Sequence, residues 1–217
     1  LLLKLADMEK HLTIILGGSP MFKRVALATA AIFALGLSAQ AAEWKIDTKH
    51  SSVAFKVSHL LVAKATGNFT DFSGTINYDG KDFSAASTEV TIQAASINTD
   101  NEDRDGHLKS PDFFAVDSFP TITFKSTKIT PVVDNKFTIF GDLTMKGTTK
   151  PVTLEAEYNG SRPTSDTTAV AGFSAVGKIN RQDFNVKWNQ PLEGGGFTVG
   201  DEVSLFLEVE ARSKKSK

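Results

Sequence analysis

The chain has 217 residues, with 16 Gly, 7 Pro and no Cys. That length suits one domain, and 41% hydrophobic against 23% charged residues excludes a disordered chain. A formal net charge of -1 offers no basic field to nucleic acid, and the lack of Cys excludes disulfides, thiolate metal sites, a cysteine nucleophile and a lipid anchor on cysteine.

The N-terminus reads as a targeting device. Met21-Phe22-Lys23-Arg24 carries two cations, and residues 25–37 are an uncharged run of thirteen. Ser38-Ala39-Gln40-Ala41 follows, with Ala39 and Ala41 in the A-x-A arrangement of a secretory signal peptide. Cleavage is expected between Ala41 and Ala42. A membrane anchor is the alternative, but thirteen helical residues rise only ~20 Å against a hydrocarbon core of ~30 Å. Residues 1–20 do not fit the start of such a peptide, because they open on Leu1 and carry Asp7 and Glu9. Met21 is the expected start, with the preceding stretch read from upstream DNA. The mature chain is then residues 42–217, one domain with 20 Lys+Arg and 23 Asp+Glu. Its expected location is the periplasm or the cell exterior.

After residue 41 the dominant signal is period-2 alternation, the mark of half-buried strands. Val53, Phe55 and Val57 alternate with Ala54, Lys56 and Ser58. Phe72, Gly74, Ile76 and Tyr78 share one face, as do Val90, Ile92 and Ala94. Ile122 and Phe124 follow. Phe137, Ile139, Gly141, Leu143 and Met145 form a longer face, then Val152, Leu154, Ala156 and Tyr158. Residues 169–179 are less regular, and Val203, Leu205, Leu207 and Val209 complete the set. These make about eight strands. Turn signals separate most of them: Tyr78-Asp79-Gly80, Asp134-Asn135, Lys146-Gly147, Asn159-Gly160 and Gly194-Gly195-Gly196. Residues 101–116 and 180–185 are the two candidate short helices, the second capped by Asn180.

Hairpin-length connections favour antiparallel up-and-down order, and closure into an eight-stranded barrel removes open edges. The predicted fold is therefore all-β, an extended lipocalin-like barrel with one or two short helical segments. A two-sheet sandwich is the alternative. The inward faces set Phe55, Phe72, Phe124 and Phe137 against Gly74, Ala94, Gly141 and Ala156. Large rings beside small residues predict elongated apolar gaps, and a fully packed interior remains the alternative. His50, His59, His107, Arg104, Asp105, Arg181 and Asp183 are the polar residues of interest. Their spacing matches no metal-ligand pattern, and a Ser51–His59–Asp105 triad has no nucleophile elbow to support it. Gripping an anionic head is one role for Arg104 or Arg181, and pinning a loop is the other.

A family pattern spans residues 44–211. It is carried by Trp44-Lys45-Ile46-Asp47, His50-Ser51-Ser52-Val53-Ala54-Phe55, Ser58-His59-Leu60 and Asp103-Arg104-Asp105-Gly106-His107-Leu108-Lys109-Ser110-Pro111-Asp112-Phe113-Phe114. Further segments are Phe119-Pro120-Thr121-Ile122, Gly141-Asp142-Leu143-Thr144-Met145-Lys146-Gly147, Ile179-Asn180-Arg181-Gln182-Asp183-Phe184 and Val199-Gly200-Asp201-Glu202-Val203. The chain resembles the YceI-like family of polyisoprenoid-binding, lipocalin-like periplasmic proteins. The resemblance implies a barrel around an elongated pocket for an isoprenoid or other long-chain lipid, with no established catalysis and no cofactor beyond that lipid. It implies that Phe55, Val57, Phe72, Ile92, Phe124, Leu143 and Val176 line the pocket. Phe113, Phe114, Phe184 and Trp188 would close it, and His59, Arg104, Asp105, His107 and Arg181 would be its polar residues.

Three functions compete. A lipid carrier or reservoir is the leading one. The alternative is an enzyme or stress-related factor acting on an isoprenoid or quinone head, and an enzyme would need His59 or His107 aimed inward. An outer-membrane barrel is opposed by the Lys-Lys-Ser-Lys end and the scarcity of Tyr and Trp, so no stable membrane insertion is expected. No nucleic-acid partner is expected, and a homodimer stays open.

Overall fold

The computed structural model describes residues 42–78, 83–165 and 168–214. The expectations on residues 1–41, the upstream stretch and leader, lie outside the described residues, as do Asp79-Gly80 and the last three residues of the basic tail. Eleven strands form: β1 (Ala42–Ile46), β2 (Ser52–His59), β3 (Ala63–Phe69), β4 (Phe72–Tyr78), β5 (Ser87–Gln93), β6 (Ile97–Asn98), β7 (Thr121–Ile129), β8 (Lys136–Met145), β9 (Thr148–Pro163), β10 (Thr168–Asn180) and β11 (Val199–Lys214). One α-helix, α1 (Glu102–Lys109), interrupts the connection from β6 to β7.

The strands close into a ring of eight staves, all antiparallel. Three staves are broken. β11 pairs with β2 along residues 199–208 and with β1 at residues 211–213, so β1 and β2 follow one another in a single position. β3 pairs with β2 and β4 pairs with β1, which makes β3 and β4 the next bent stave. β5 and β6, joined by the 3-10 turn Ala94–Ser96, form the third against β4 and β3. β7, β8, β9, β10 and β11 then pair in sequence and close on the first stave. The expected eight strands are these staves, and β1, β3 and β6 are the segments the alternation did not reveal. Each is short or rich in small polar residues, so its period-2 signal is weak.

Turn chemistry sets most of the hairpins. Asp134 and Asn135 (φ 51° and 64°) turn β7 into β8, and Lys146 and Gly147 (φ 47° and 72°) turn β8 into β9. These are paired positive-φ positions, as tight hairpins require. Asn159-Gly160 is not the turn the sequence suggested. β9 continues through it to Pro163, and the register slips there: Gly160 faces Gly172 and Tyr158 faces Phe173, leaving Asn159 as the extra residue. Gly160 at φ 106° absorbs this bulge.

The bend between β1 and β2 is fastened to β11. Asp47 Oδ2 accepts from Arg212 Nε at 2.6 Å and lies 3.0 Å from His50 Nδ1. His50 and then Arg212 hold the Asp47 carboxyl down at about 2. The interior has two cores, one at each end of the barrel. One gathers Trp44, Tyr78, Phe83, Phe137 and Phe173. The other gathers Phe69, Ile97, Phe113, Ile122, Met145 and Phe184 beneath α1.

Candidate functional site

A cavity of about 200 Å³ lies within the core beneath α1. The alternating faces of the staves build its wall: Phe55 and Val57 from β2, Phe72 from β4, Ile92 from β5, Phe124 from β7, Leu143 from β8, Leu154 from β9, Ile179 from β10, and Val203, Leu205, Leu207 and Val209 from β11. Leu108 of α1, with Phe113 and Phe114 just beyond it, closes one end. A second chamber of about 90 Å³ continues toward the other end. The two share Ile46, Val90, Phe124, Leu154, Leu207 and Val209, so this ring of side chains is the waist at which the two chambers adjoin. Such a lining has nothing to offer water, and a hydrocarbon-lined void stays dry.

The small residues act differently from the sequence expectation. The alternation suggested that Gly beside Phe leaves gaps along the wall. Instead the rings lie down on the glycines. A Cβ on Gly141 would collide with the Phe124 ring, and one on Gly67 would collide with Phe55. With the rings flat against the wall, the empty space is moved to the axis of the barrel.

The helical lid is held by hydrogen bonds to its own stem. Asn101 Oδ1 caps α1 by accepting from the Arg104 amide at 2.9 Å. Glu102, Asp103 and Asp105 sit in the first turn and His107 and Lys109 in the last, as the helix dipole favours. Asp105 Oδ1 accepts from the Thr99 amide at 2.9 Å and from Thr99 Oγ1 at 2.5 Å. Arg104 Nε and Nη2 donate to Thr99 Oγ1 and to its carbonyl at 2.8 and 2.7 Å. The lid is tied to the β8–β9 hairpin as well, where Lys146 Nζ donates to the Pro111 carbonyl at 2.9 Å. Burial lowers the Lys146 pKa, with Asp112 opposing.

Among the described residues that line the cavity, Arg181 alone is charged. It is buried at 4% exposure in the 3-10 turn Arg181–Phe184. Its Nε donates to the Gly200 carbonyl at 2.9 Å. Nη1 donates to Val186 and Trp188 carbonyls at 2.6 and 2.9 Å, and Nη2 reaches the Val199 carbonyl and Asp201 Oδ1, both at 3.3 Å. A guanidinium has five N–H groups, and all five are engaged. Burial pushes its pKa down from the ordinary value and Asp201 pulls the other way. The chemistry of this group is therefore structural: it gathers the strand ends beside the lid and presents no free donor to the cavity.

The structure brings together Phe55, Val57, Phe72, Ile92, Phe113, Phe114, Phe124, Leu143 and Arg181 around the cavity. Val176 is not among them. Ala171, Phe173 and Ala175 alternate inward on β10, which puts Val176 outside at 48% exposure. Phe184 is buried behind the wall, packed in the core beneath α1. Trp188 is half-buried on the far side of Phe113, with ring centroids 5.2 Å apart. The polar residues also stand away from the lining. His59 is exposed at the end of β2, paired with Ala63 and Val199. His107 is exposed, lies edge-on to Phe113 and Trp188 and contacts Asp112 Oδ2 at 3.1 Å. Arg104 and Asp105 each serve Thr99. Ser51 and His59 stand at opposite ends of β2, ~25 Å apart at strand rise, so the paper triad does not assemble. Among the described residues, Asp47, His50 and Glu210 form an acidic group on the outer surface, with Arg212 already bridging both carboxylates.

The sequence reading missed part of the lining. Val203, Leu205, Leu207 and Val209 were legible as one strand face. Leu108 was not, because α1 carries almost no apolar stripe from which to predict a buried side.

A closed eight-stave barrel with apolar chambers on its axis and a helical lid defines the class of protein. The profile of the YceI-like domain matches residues 44–211, and the chain belongs to that family. It is 42% identical over 165 residues to the UPF0312 protein SA2479 of Staphylococcus aureus, covering 76% of this chain and 94% of the relative. Among solved structures, the Campylobacter jejuni YceI protein is 34% identical with a TM-score of 0.61, covering 75% of this chain and 91% of that one. A polyisoprenoid-binding domain from Saccharophagus degradans shares the fold at 13% identity and a TM-score of 0.56, covering 80% of this chain and 99% of that domain.

Proposed function

We propose that this protein binds and carries a long-chain isoprenoid, of polyprenyl or quinone type, with its tail along the axial channel. The observation that carries the reading is the end-to-end placement of two apolar chambers that share one ring of apolar side chains. An empty apolar channel lacks dispersion contacts on one side of every lining atom, and a tail restores them. Each buried methylene contributes about 0.8 kcal/mol, so a tail burying ~10 of them gains ~8 kcal/mol before ordering costs. The costs of association and of ordering the tail, several kcal/mol, come off this gain, so longer tails that bury more methylenes bind more tightly. The polyisoprenoid-binding domain with the same fold supports the choice of cargo.

The head group in this reading is neutral or weakly polar. Arg181 has no unspent donor, and Arg104 is tied to Thr99 on the lid. In this reading the protein acts by binding, in keeping with the place of the described histidines outside the lining. The secretory leader read from residues 21–41 puts the carrier in the periplasm, between the two membranes that hold such lipids.

The test is native mass spectrometry of protein taken gently from the periplasm, followed by organic extraction. A bound species of defined mass with isoprenoid fragments is the expected result. Protein that is absent from the periplasmic fraction, or that emerges empty and takes up no polyprenol in detergent-free buffer, overturns the proposal.

A further inference from the structure

A long chain can reach the cavity only where the protein around it can part. Each stave is hydrogen-bonded to the next around the ring, so the wall opens only by breaking a ladder. The end away from α1 is stopped by Phe83 among Tyr78, Phe137, Tyr158 and Phe173. The lid is fastened differently. Among the described residues, no backbone-to-backbone hydrogen bond joins residues 102–116 to a strand. α1 buries none of its residues. The apolar side chains that hold it, Leu108, Phe113 and Phe114, rest on the cavity itself. This is the weakest closure of the barrel, and local opening follows the weakest contacts.

The lid is also one body. The Phe114 amide donates to the Leu108 carbonyl at 3.0 Å and the Val116 amide to the Lys109 carbonyl at 3.1 Å, which folds the residues after α1 back onto it. Ala115 makes that reversal with a left-handed φ of 50°. A single bond from Lys146 Nζ to the Pro111 carbonyl ties the far side of this body to the barrel. The near side is tied through Thr99, which is buried at 7% exposure. The Thr99 amide and hydroxyl both donate to Asp105 Oδ1, and its hydroxyl and carbonyl accept from Arg104 Nε and Nη2. Asp100 stands between this clasp and α1. Its φ of 58° is left-handed, a conformation that Asp tolerates, and its amide donates to Asn98 Oδ1 at 3.0 Å. Thr99 is braced against the wall as well. A Cβ on Gly67 would lie 2.7 Å from Thr99 Cγ2 and 2.5 Å from Phe55 Cζ, so the clasp stands beside a ring that lines the cavity.

We infer that residues 102–116 swing as one body on the Asp100 elbow to let an isoprenoid tail in and out, and that Thr99 is the clasp that holds them shut. Thr99 acts through Arg104 and Asp105 and does not line the cavity, so it is a positioning residue that sets how often the lid opens. The passage of cargo rests on the carrier reading above, whereas the opening itself is measured without cargo.

The experiment times uptake and release of a polyprenol by the full protein. Uptake is followed by native mass spectrometry after mixing, and release by exchange for deuterated polyprenol. Thr99→Val keeps the shape of the side chain and removes the hydroxyl that Arg104 and Asp105 share. Both rates are expected to rise about tenfold with the affinity unchanged, because a looser clasp raises the open fraction of loaded and empty protein alike. Amide exchange without cargo should quicken by a similar factor across residues 102–116 and stay at the wild-type rate in β8, β9 and β10. As the chain has no Cys, Thr99→Cys with Asp105→Cys can place a disulfide where Oγ1 and Oδ1 meet at 2.5 Å. The oxidised form should load and release about tenfold more slowly than its reduced form. Unchanged rates in Thr99→Val, a loss of affinity in place of the paired rise, or a disulfide-bonded variant that loads as fast as its reduced form overturns the proposal. If the gate fails while the wild type still loads, the carrier reading stands and cargo enters elsewhere. If the wild type loads no polyprenol, the carrier reading falls, and amide exchange decides whether residues 102–116 open as one body.

Discussion

The two ends of the barrel solve the same packing problem in opposite ways. At the end away from α1, Phe83 stacks on Tyr78 with ring centroids 4.0 Å apart and meets Tyr158, Phe137 and Phe173 at 5.1 to 6.0 Å. Rings that turn toward one another take up most of the axis and leave only the smaller chamber of about 90 Å³, which Phe83, Phe137 and Phe173 line. At the lid end Phe55 turns toward Gly67, and between the chambers Phe124 turns toward Gly141, which leaves the larger chamber open on the axis. Both ends are rich in Phe. What differs is the partner each ring finds, and that decides between a plug and a channel. The lid then closes the open end with a helix held by polar contacts, where the plug uses packing alone.

The comparison can be broken most sharply at Phe83. Phe83→Ala should destabilise the fold by about 3–5 kcal/mol, because the hole it leaves is bounded by four rings that cannot collapse together. Urea denaturation measures this. Arg181→Met should cost about 3 kcal/mol, since it strips donors from four backbone carbonyls at the lid end. Amide exchange should show that loss concentrated in residues 181–200. Phe124→Ala should cost less, about 1–2 kcal/mol, because that ring borders both chambers and has none of the ring partners that surround Phe83. The same substitution widens the waist, so native mass spectrometry of a polyprenol mixture should show a shift toward longer chains. Equal destabilisation by Phe83→Ala and Phe124→Ala would erase the distinction between plug and channel.

The smallest expected effect is in acid. The Asp47 carboxyl is held down at about 2 in the folded protein, against an ordinary value near 4. Its folded pKa is the lower one, so its contribution is full above the ordinary value and disappears as pH falls toward about 2. Wild-type melting temperature should therefore drop faster than that of Asp47→Asn between about pH 4 and pH 2. The difference should shrink in high salt, as His50 and Arg212 are exposed partners.

Much of this architecture was legible in the sequence. Period-2 alternation locates a strand in each of the eight staves, and paired positive-φ residues at Asp134-Asn135 and Lys146-Gly147 mark two hairpins. Asn159-Gly160 misled because the same dipeptide chemistry serves a bulge as well as a turn, and only the register of the neighbouring strand distinguishes them. Val176 misled for a related reason: in a strand without clean alternation, one residue of slip exchanges inside for outside. The lid polar residues were singled out by type, but their partners depend on three-dimensional contacts. Arg104 and Asp105 look like an ion pair in sequence and instead converge on Thr99. The fate of Arg181 is equally invisible, because four of its five acceptors are backbone carbonyls, which no side-chain pattern records.

The central claim is that the axial channel exists to hold a long apolar chain. The most direct test is uptake of a long-chain polyprenol by lipid-stripped protein, read by native mass spectrometry beside Leu143→Arg. Leu143 lines the larger chamber and is 9% exposed, so a guanidinium there would occupy the chain path. One polyprenol per protein in the wild type, and none in a variant that keeps its β-sheet spectrum, is the predicted result. An empty wild type, or equal uptake by the folded variant, would contradict it.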